Sequence, residues 1–163
     1  MNPNPDLERL ALQEERLQFD HFGNDRAWAL GLALKAMAEA RGVSVAIEVR
    51  LARETVFFYA MPGTAPTNAD WARRKRNSVE LLHRSSYRIG LELQRDGGTL
   101  EDRMGLPLRD HASHGGAFPL RLAGTGCVGC VTVSGLPQRD DHAMVVEALA
   151  AMAGLPLAGL ALD

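Results

Sequence analysis

Two short polar segments of the chain carry the residue types from which a binding site could be built. The first is the basic run Arg73–Arg76, which follows Trp71 and precedes Asn77. It falls in the first turns of a predicted helix, where free backbone N–H groups and cations together favour an anion or a carboxylate. Successive helical residues point about 100° apart, so we expect Lys75 to face the sheet and Arg74 to flank it. The alternatives are a solvated run, pairing with acidic residues of a neighbour, and a nuclear-localisation or nucleic-acid patch.

The second segment, from His111 to Gly116, reads His-Ala-Ser-His-Gly-Gly and leads into a predicted β-hairpin. Its small residues favour a loop, so the sequence leaves open whether His111 and His114 share a site. A histidine here could ligate a metal ion or a haem iron, act as a general acid or base, or serve a structural or interface role. No motif supplies the further ligands of a metal site, so none is assigned. Gly115 and Gly116 favour close backbone approach, either to a ligand or to another chain.

Hydrophobic periodicity predicts the elements that position these segments. Val43–Leu51 alternates with one face buried, and Thr55–Met61 follows closely enough to form an antiparallel hairpin. A second hairpin joins Ala117–Leu122 to Cys127–Val133 through a glycine-lined turn. Helices are predicted near the N-terminus, over 24–41, over 67–96 and from 137 to about 154. This order lacks β-α-β alternation and predicts an antiparallel sheet flanked by helices, an α+β domain.

Length and composition favour one domain over residues 1–163, with a core at about 5–155 and a short apolar tail. The chain has 46% hydrophobic residues, 6% aromatic residues and a net charge of −2, which gives no general argument for nucleic acid. No apolar run reaches the roughly 18 residues of a membrane span, and no secretory signal is visible. Two cysteines without such a signal favour a reducing compartment. We therefore expect a cytoplasmic protein without nucleic-acid or membrane partners.

Four further features are assigned structural roles. Cys127 and Cys130 lie within one strand and point to opposite faces, so we expect buried apolar side chains rather than a redox or metal pair. Ser134 lacks the G-x-S-x-G frame of a hydrolase nucleophile. His142 is expected on a helix surface or at an interface. The apolar stretch 148–162 must cover its own sheet or bury against a second subunit, and we expect a homo-oligomer.

Two longer runs of sequence resemble a known family. They are Tyr59–Val79, YAMPGTAPTNADWARRKRNSV, and His114–Leu149, HGGAFPLRLAGTGCVGCVTVSGLPQRDDHAMVVEAL. Together they resemble the HbpS-like superfamily, of the GlcG and PduO C-terminal type often labelled haem-degrading domain, and within it a subfamily with a V-S-G-L-P-Q…D-H signature. The resemblance covers roughly residues 5–155 and implies a profilin-like fold, with a five-stranded antiparallel sheet flanked by helices, and homo-oligomers. The fifth strand would come from Leu100–Arg109 or Leu17–Phe22.

These residues support two classes of function. The first is small-ligand binding in a pocket between the basic start of the long helix and the His-Gly-Gly segment, filled by haem, a related tetrapyrrole or a small carboxylate. The expected site residues are Trp71, Arg74, Lys75, Asn77, His111, His114, Gly115 and Gly116. Asn68 could add a hydrogen bond, and His114 is the expected axial ligand if haem binds. The alternative is a non-catalytic homo-oligomeric interaction or scaffold protein that uses the sheet and the basic helix as a platform. Whether the protein is an enzyme is left open, and the sequence offers no nucleophile–base pair on which one could be built.

Overall fold

The computed structural model describes residues 4–163, so the first three residues of the expected domain lie outside it. The helices are α1 (Pro5–Arg16), α2 (Asn24–Ala40), α3 (Pro66–Leu82), α4 (Ser86–Asp96), α5 (Leu100–Met104) and α6 (Gln138–Ala153). The strands are β1 (Gln18–Phe19), β2 (Ala46–Leu51), β3 (Glu54–Ala60), β4 (Ala117–Leu122) and β5 (Gly126–Ser134). Both predicted hairpins are therefore present.

The five strands form one sheet in the order β1-β4-β5-β2-β3. The pairs β2–β3, β2–β5 and β4–β5 are antiparallel. The fifth strand comes from the Leu17–Phe22 alternative, and it pairs in parallel with β4, with Gln18 opposite Arg121. A hairpin forces its two strands to be antiparallel, whereas β1 is joined to β4 through most of the chain and is free of that constraint. The α+β architecture is confirmed, with a mixed sheet in place of a wholly antiparallel one.

Helices cover both faces of the sheet. On one face α2 and α6 enclose a core of aliphatic and aromatic side chains. On the other face α3 lies over β2, where Arg76 Nε is 3.2 Å from Glu48 Oε1 and Arg50 Nε donates to Glu80 at 2.8 Å. The prediction that only one face of β2 is buried is therefore wrong. Charged residues can occupy the second face because they are paired there.

The helix predicted over 67–96 is two helices. His83 ends α3 in the left-handed conformation, with φ of 57°. Ser85 then caps α4 by accepting a hydrogen bond from the backbone N–H of Arg88 at 3.3 Å. A serine at this position satisfies a backbone donor that a helix start would otherwise leave free. The apolar spacing continues through the break, so periodicity alone does not reveal it.

The apolar C-terminal tail covers the protein's own core. Leu160 is 2% exposed, and its carbonyl accepts a hydrogen bond from Gln13 Nε2 at 2.6 Å. Leu155 and Leu157 pack against the same core. Of the two alternatives expected for the tail, the structure shows the first, in which the tail packs on the core of its own chain. None of the helices in the described part of the chain is long and apolar enough to cross a membrane.

Candidate functional site

A cleft opens where β5 ends and α6 begins, opposite the first turns of α3. It encloses a cavity of about 230 Å³. Its walls come from α3, the loop before β4, the β5–α6 turn and α6, through Asn68, Trp71, Lys75, His114, Ser134, Gly135, Leu136, Gln138 and Asp141. The cleft thus brings together three of the expected site residues, Trp71, Lys75 and His114, and also Asn68, which was expected to add a hydrogen bond.

The floor of the cleft is a buried ion pair between Lys75 of α3 and Asp141 of α6. Lys75 Nζ lies 3.0 Å from Asp141 Oδ2 and donates a second hydrogen bond to the carbonyl of Val133 at 3.2 Å. Asp141 also accepts from the backbone N–H groups of Gly135 at 3.3 Å and Leu136 at 2.9 Å. The two charged side chains are 4% and 1% exposed, so the pair is largely removed from water although it borders the cavity. Its carboxylate also fixes the turn that leads into α6.

Burial dominates the electrostatics of this pair. Desolvation lowers the pKa of the Lys75 ammonium, and attraction to Asp141 opposes that change. Desolvation likewise raises the pKa of the Asp141 carboxyl, against the attraction of Lys75 and the bonds from the backbone. Such a pair contributes little net stability, yet removing one partner is costly because the other charge stays buried and unpaired.

His114 and Trp71 form the mouth of the cleft. Their rings meet edge to face with centroids 4.9 Å apart, and the Arg74 guanidinium lies 4.5 Å from the Trp71 ring centroid. Partial burial, and then the positive charges of Lys75 and Arg74, lower the pKa of His114. An imidazole ordinarily titrates near pH 6.5, so this ring is neutral at pH 7. A neutral imidazole offers one nitrogen lone pair to a ligand.

The basic run of α3 holds the loop that carries His114. Arg73, Arg74 and Asn77 donate hydrogen bonds to the backbone carbonyls of Leu108–Asp110 at 2.6–2.9 Å. Arg73 also pairs with the Asp110 carboxylate at 2.9 Å. For Arg73, pairing with an acidic residue is thus the alternative that the structure supports, whereas Arg74 and Asn77 bond to backbone carbonyls. Arg74 and Asn77 position the loop, and their direct contact with a ligand stays a prediction.

The two glycines approach the protein's own chain. A Cβ on Gly115 would lie 2.4 Å from the Gln138 carbonyl oxygen, and the Gly115 N–H donates to the Gln138 side chain at 3.0 Å. Gly116 has a φ of 135°, and a Cβ there would lie 2.3 Å from the Val133 carbonyl oxygen and 2.8 Å from Lys75 Nζ. These positions need glycine because α6, β5 and the lysine occupy the space of a side chain. A ligand contact by either glycine stays a prediction.

His111 lies farther from the cleft than His114. A second cavity of about 250 Å³ lies between the His111–Gly116 loop, α3 and α4, and both histidines border it. His111 Nδ1 is 3.3 Å from the carbonyl oxygen of Pro107. His114 therefore stands between two cavities, whereas His111 borders only the second.

Neither a metal site nor a redox pair is assembled in the described part of the chain. Within residues 4–163, no three His, Cys, Asp or Glu residues are placed to hold a metal ion. Cys130 is buried and Cys127 half-buried, and burial raises the pKa of both thiols. Both thiols are therefore protonated at neutral pH. Because the register shifts between Leu120 and Arg121, Cys127 pairs with Arg121 and Cys130 with Pro119, two residues apart on β4. The two cysteines thus share one face of the sheet, and the prediction that they point to opposite faces is wrong.

Two buried residues near the start of α6, Asp141 and His142, have surroundings that their sequence pattern does not predict. Asp141 was assigned no role in a site, because an acidic residue in the first turns of a helix is favoured in any helix. His142 was expected on a surface or at an interface, and that prediction is wrong, because the ring is 1% exposed. The D-H pair within the family signature was the one signal that pointed to them.

Comparison with known proteins identifies a matching family profile, a close relative and structures of the same fold. The family profile described as "Haem degrading protein HbpS-like" matches residues 22–150. A UPF0303 protein of Azotobacter vinelandii is 58% identical over 163 residues, covering 100% of this chain and 98% of that protein. The crystal structure of the Ybr137w protein is 27% identical, covers 93% of this chain and 90% of its own, and has a TM-score of 0.85. The structure of a PduOC:heme complex is 20% identical, covers 75% and 88% of the two chains, and has a TM-score of 0.64, a likeness of fold alone.

Proposed function

The chain belongs to the HbpS-like haem-degrading family, and on that premise we propose that it binds a small ligand of the haem type in the cleft between α3 and α6. A protein of the same fold, PduOC, is known as a complex with heme. The observation that carries the proposal here is the position of the His114 imidazole at the mouth of the cleft, beside the aromatic ring of Trp71, where partial burial and two neighbouring cations lower its pKa.

The residues at the mouth fit a tetrapyrrole in three respects. An unprotonated His114 can ligate iron, Trp71 offers an aromatic surface, and Arg74 and Lys75 supply positive charge for carboxylates. The cavity of about 230 Å³ is smaller than the roughly 300–1,000 Å³ of sites that enclose drug-sized ligands. The cavity is therefore too small to enclose a whole macrocycle, and Trp71, Lys75 and His114 are the residues of its lining that would hold part of one. Bound haem would supply the redox chemistry of its iron.

Titration with haemin tests the proposal. The protein should shift the Soret band of haemin, and His114→Ala should weaken binding by at least about tenfold. His111→Ala is the matched control, because it removes an imidazole from the same loop at a position that does not border the cleft. Equal binding by the two variants and the parent would contradict the role of His114, and no Soret shift in the parent would contradict haem as the ligand.

We also propose that the protein forms a homo-oligomer, which is the basis of the alternative role as a scaffold. Trp28 and Leu32 lie one turn apart on α2 and are 57% and 45% exposed, and Phe58 on the edge strand β3 is 47% exposed. An edge strand offers unpaired backbone groups, and exposed apolar side chains beside it favour association.

Light scattering tests the assembly. The parent should have a mass that is a multiple of 17.7 kDa, and Phe58→Arg should lower it. Leu81→Arg is the matched control, since Leu81 is also 47% exposed but lies on α3. A parent mass of 17.7 kDa would refute the proposal.

A further inference from the structure

Lysine is nearly absent from this chain. Of its 18 basic residues, 16 are arginine, and the two lysines are Lys35 and Lys75. Lys35 is on the surface of α2, where it pairs with Glu39 one turn away. Lys75 is in a buried ion pair, where arginine would be the usual choice. A chain that uses arginine almost everywhere else has an amine at the floor of the cleft.

Lys75 borders the cavity, and two hydrogen bonds of its Nζ are made within the described part of the chain. A lysine ammonium has three N–H bonds in tetrahedral directions. The Asp141 carboxylate and the Val133 carbonyl, at 3.0 and 3.2 Å, account for two of these directions. The third direction has no acceptor among the described residues. Gly116 lets β4 and β5 meet beside this amine without a side chain in the way.

We infer that Lys75 is a carbonyl-reactive amine, which forms an imine with a small aldehyde or 2-oxo acid bound in the cleft. This inference rests on the proposal that the cleft is a ligand site, and it adds a covalent chemistry to that site. An arginine at this position could hold the ion pair but could not form the bond, because a guanidinium stays protonated and is a poor nucleophile.

Lys75 and Asp141, at the floor of the cleft, can together carry out every proton transfer that imine formation requires. Asp141 accepts a proton from the Lys75 ammonium, and the lone pair of the neutral amine attacks the carbonyl carbon. One N–H proton moves to the former carbonyl oxygen, which gives a carbinolamine. The hydroxyl then leaves as water with the proton returned by Asp141, and a C=N bond forms. The product iminium is again a cation beside the Asp141 carboxylate, so the buried ion pair is kept at the end of the reaction.

Two properties of this environment favour the amine as a nucleophile. Desolvation lowers the pKa of Lys75, so a larger share of it is neutral at pH 7 than for a lysine in water. Asp141, whose pKa burial raises, is a better proton acceptor than an exposed carboxylate. Lys35 has the opposite environment, because its bond to Glu39 raises its pKa.

The cleft restricts the carbonyl compound to a small polar one. A cavity of about 230 Å³ has room for a few carbon atoms. The amide side chains of Asn68 and Gln138 border it and can donate hydrogen bonds to a carboxylate. Arg74 adds a positive charge beside the cleft, as shown by its effect on the pKa of His114. These groups favour a 2-oxo acid such as glyoxylate or pyruvate over a neutral aldehyde.

Reductive trapping tests the inference on the intact protein. The parent is incubated at neutral pH with glyoxylate or pyruvate and then with sodium borohydride, which converts an imine to a stable secondary amine. Cleavage after glutamate separates the lysines, because Glu54 and Glu80 bracket Lys75 while Glu15 and Glu39 bracket Lys35. We expect the adduct on the Lys75 fragment at tenfold or greater excess over the Lys35 fragment. No adduct, or equal labelling of both fragments, overturns the inference.

The variants Lys75→Arg and Lys35→Arg complete the test. Trapping should be lost in the first and unchanged in the second, with folding of each checked by circular dichroism. If Lys75→Arg does not fold, the comparison of the two fragments in the parent still decides the question. A haemin titration of the same samples separates the two proposals. Haemin binding without trapping overturns the imine alone, whereas trapping without a Soret shift overturns haem as the ligand and keeps the cleft.

Discussion

Asp141 and His142 are neighbours in the chain, near the start of α6, and each is 1% exposed, yet they lie in opposite kinds of surroundings. Asp141 borders the cleft and pairs with Lys75. His142 points into a sealed region beneath α1, where its Nε2 is 2.8 Å from Gln13 Oε1. One position faces a space that a ligand could enter, and the other is enclosed by side chains.

The surroundings of His142 fix its protonation. Gln13 Nε2 donates to the Leu160 carbonyl, so Gln13 Oε1 must accept from His142, which places the proton on Nε2. The Tyr87 ring lies 5.3 Å away, and His142 Nδ1 has no hydrogen-bond partner in the part of the chain that is described. Burial, with a smaller effect of Arg139, lowers the pKa of His142 to about 3. The ring is neutral at any physiological pH.

The comparison shows that a shifted pKa by itself identifies a buried group and not a site. Burial shifts the pKa of both residues, in each case toward the uncharged form. Only Asp141 has, in addition, a charged partner and a cavity against it. We therefore regard the cleft as the candidate site and the His142 region as part of the core that holds α1, α6 and the C-terminal tail together.

Removing the charge at the cleft should have the largest effect on stability. Asp141→Ala leaves the Lys75 ammonium buried without a partner and frees two backbone N–H groups of the β5–α6 turn. We expect the free energy of unfolding to fall by about 3–5 kcal/mol. Urea denaturation followed by circular dichroism measures the change. Asp140→Ala is the matched control, because Asp140 is the adjacent acidic residue but is exposed, and it should cost less than about 1 kcal/mol.

A double variant distinguishes the net contribution of the ion pair to stability from the cost of leaving one buried charge without its partner. In Lys75→Met/Asp141→Leu both charges are replaced by apolar groups, so most of the lost stability should return. If instead the double variant is as unstable as Asp141→Ala, the hydrogen bonds of Asp141 to the turn, and not the unpaired charge, carry the effect. If Asp141→Ala is as stable as Asp140→Ala, the pair is not buried in solution as it is in this structure.

The sequence predicted the residues around the cleft better than it predicted the surroundings of Asp141 and His142 in α6. The basic run was identified because four consecutive cations are unusual, and the rotation of 100° per residue directed Lys75 inward. Gly115 and Gly116 were identified because glycine pairs permit close approach, although the approach turned out to be to α6 and β5. The resemblance to the HbpS-like family supplied the five-stranded sheet, which periodicity alone left one strand short.

The remaining features depend on contacts between distant parts of the chain. Asp141 meets Lys75 across 66 positions of sequence, and His142 meets Gln13 across 129. Periodicity reports which face of a helix is apolar but does not report its partner. A histidine in an otherwise apolar stretch is read as polar and exposed unless the residue that satisfies it is known. The break at His83 was missed for a related reason, because it depends on a cap by a single serine.

The enclosed position of His142 predicts that this residue makes the stability of the protein depend on pH. Its folded pKa of about 3 lies below the ordinary 6.5, so between these values the unfolded chain binds a proton that the folded chain does not. Stability should therefore fall as the pH falls through this window, by about 1.4 kcal/mol per pH unit. Chemical denaturation of the parent and of His142→Leu at pH 6, 5 and 4 measures it.

The difference in pH-dependent stability between the parent and His142→Leu isolates the contribution of His142. Burial raises the pKa values of carboxyls such as Glu14 and Asp141, so their contribution to the pH dependence has the opposite sign, and it is common to the parent and the variant. The parent should thus lose about 1.4 kcal/mol per pH unit more than His142→Leu, whereas His21→Asn, at an exposed histidine, should follow the parent. Parallel curves for the parent and His142→Leu would mean that the ring can be protonated in the folded state. The contrast between a sealed histidine and an aspartate open to a cleft would then no longer hold.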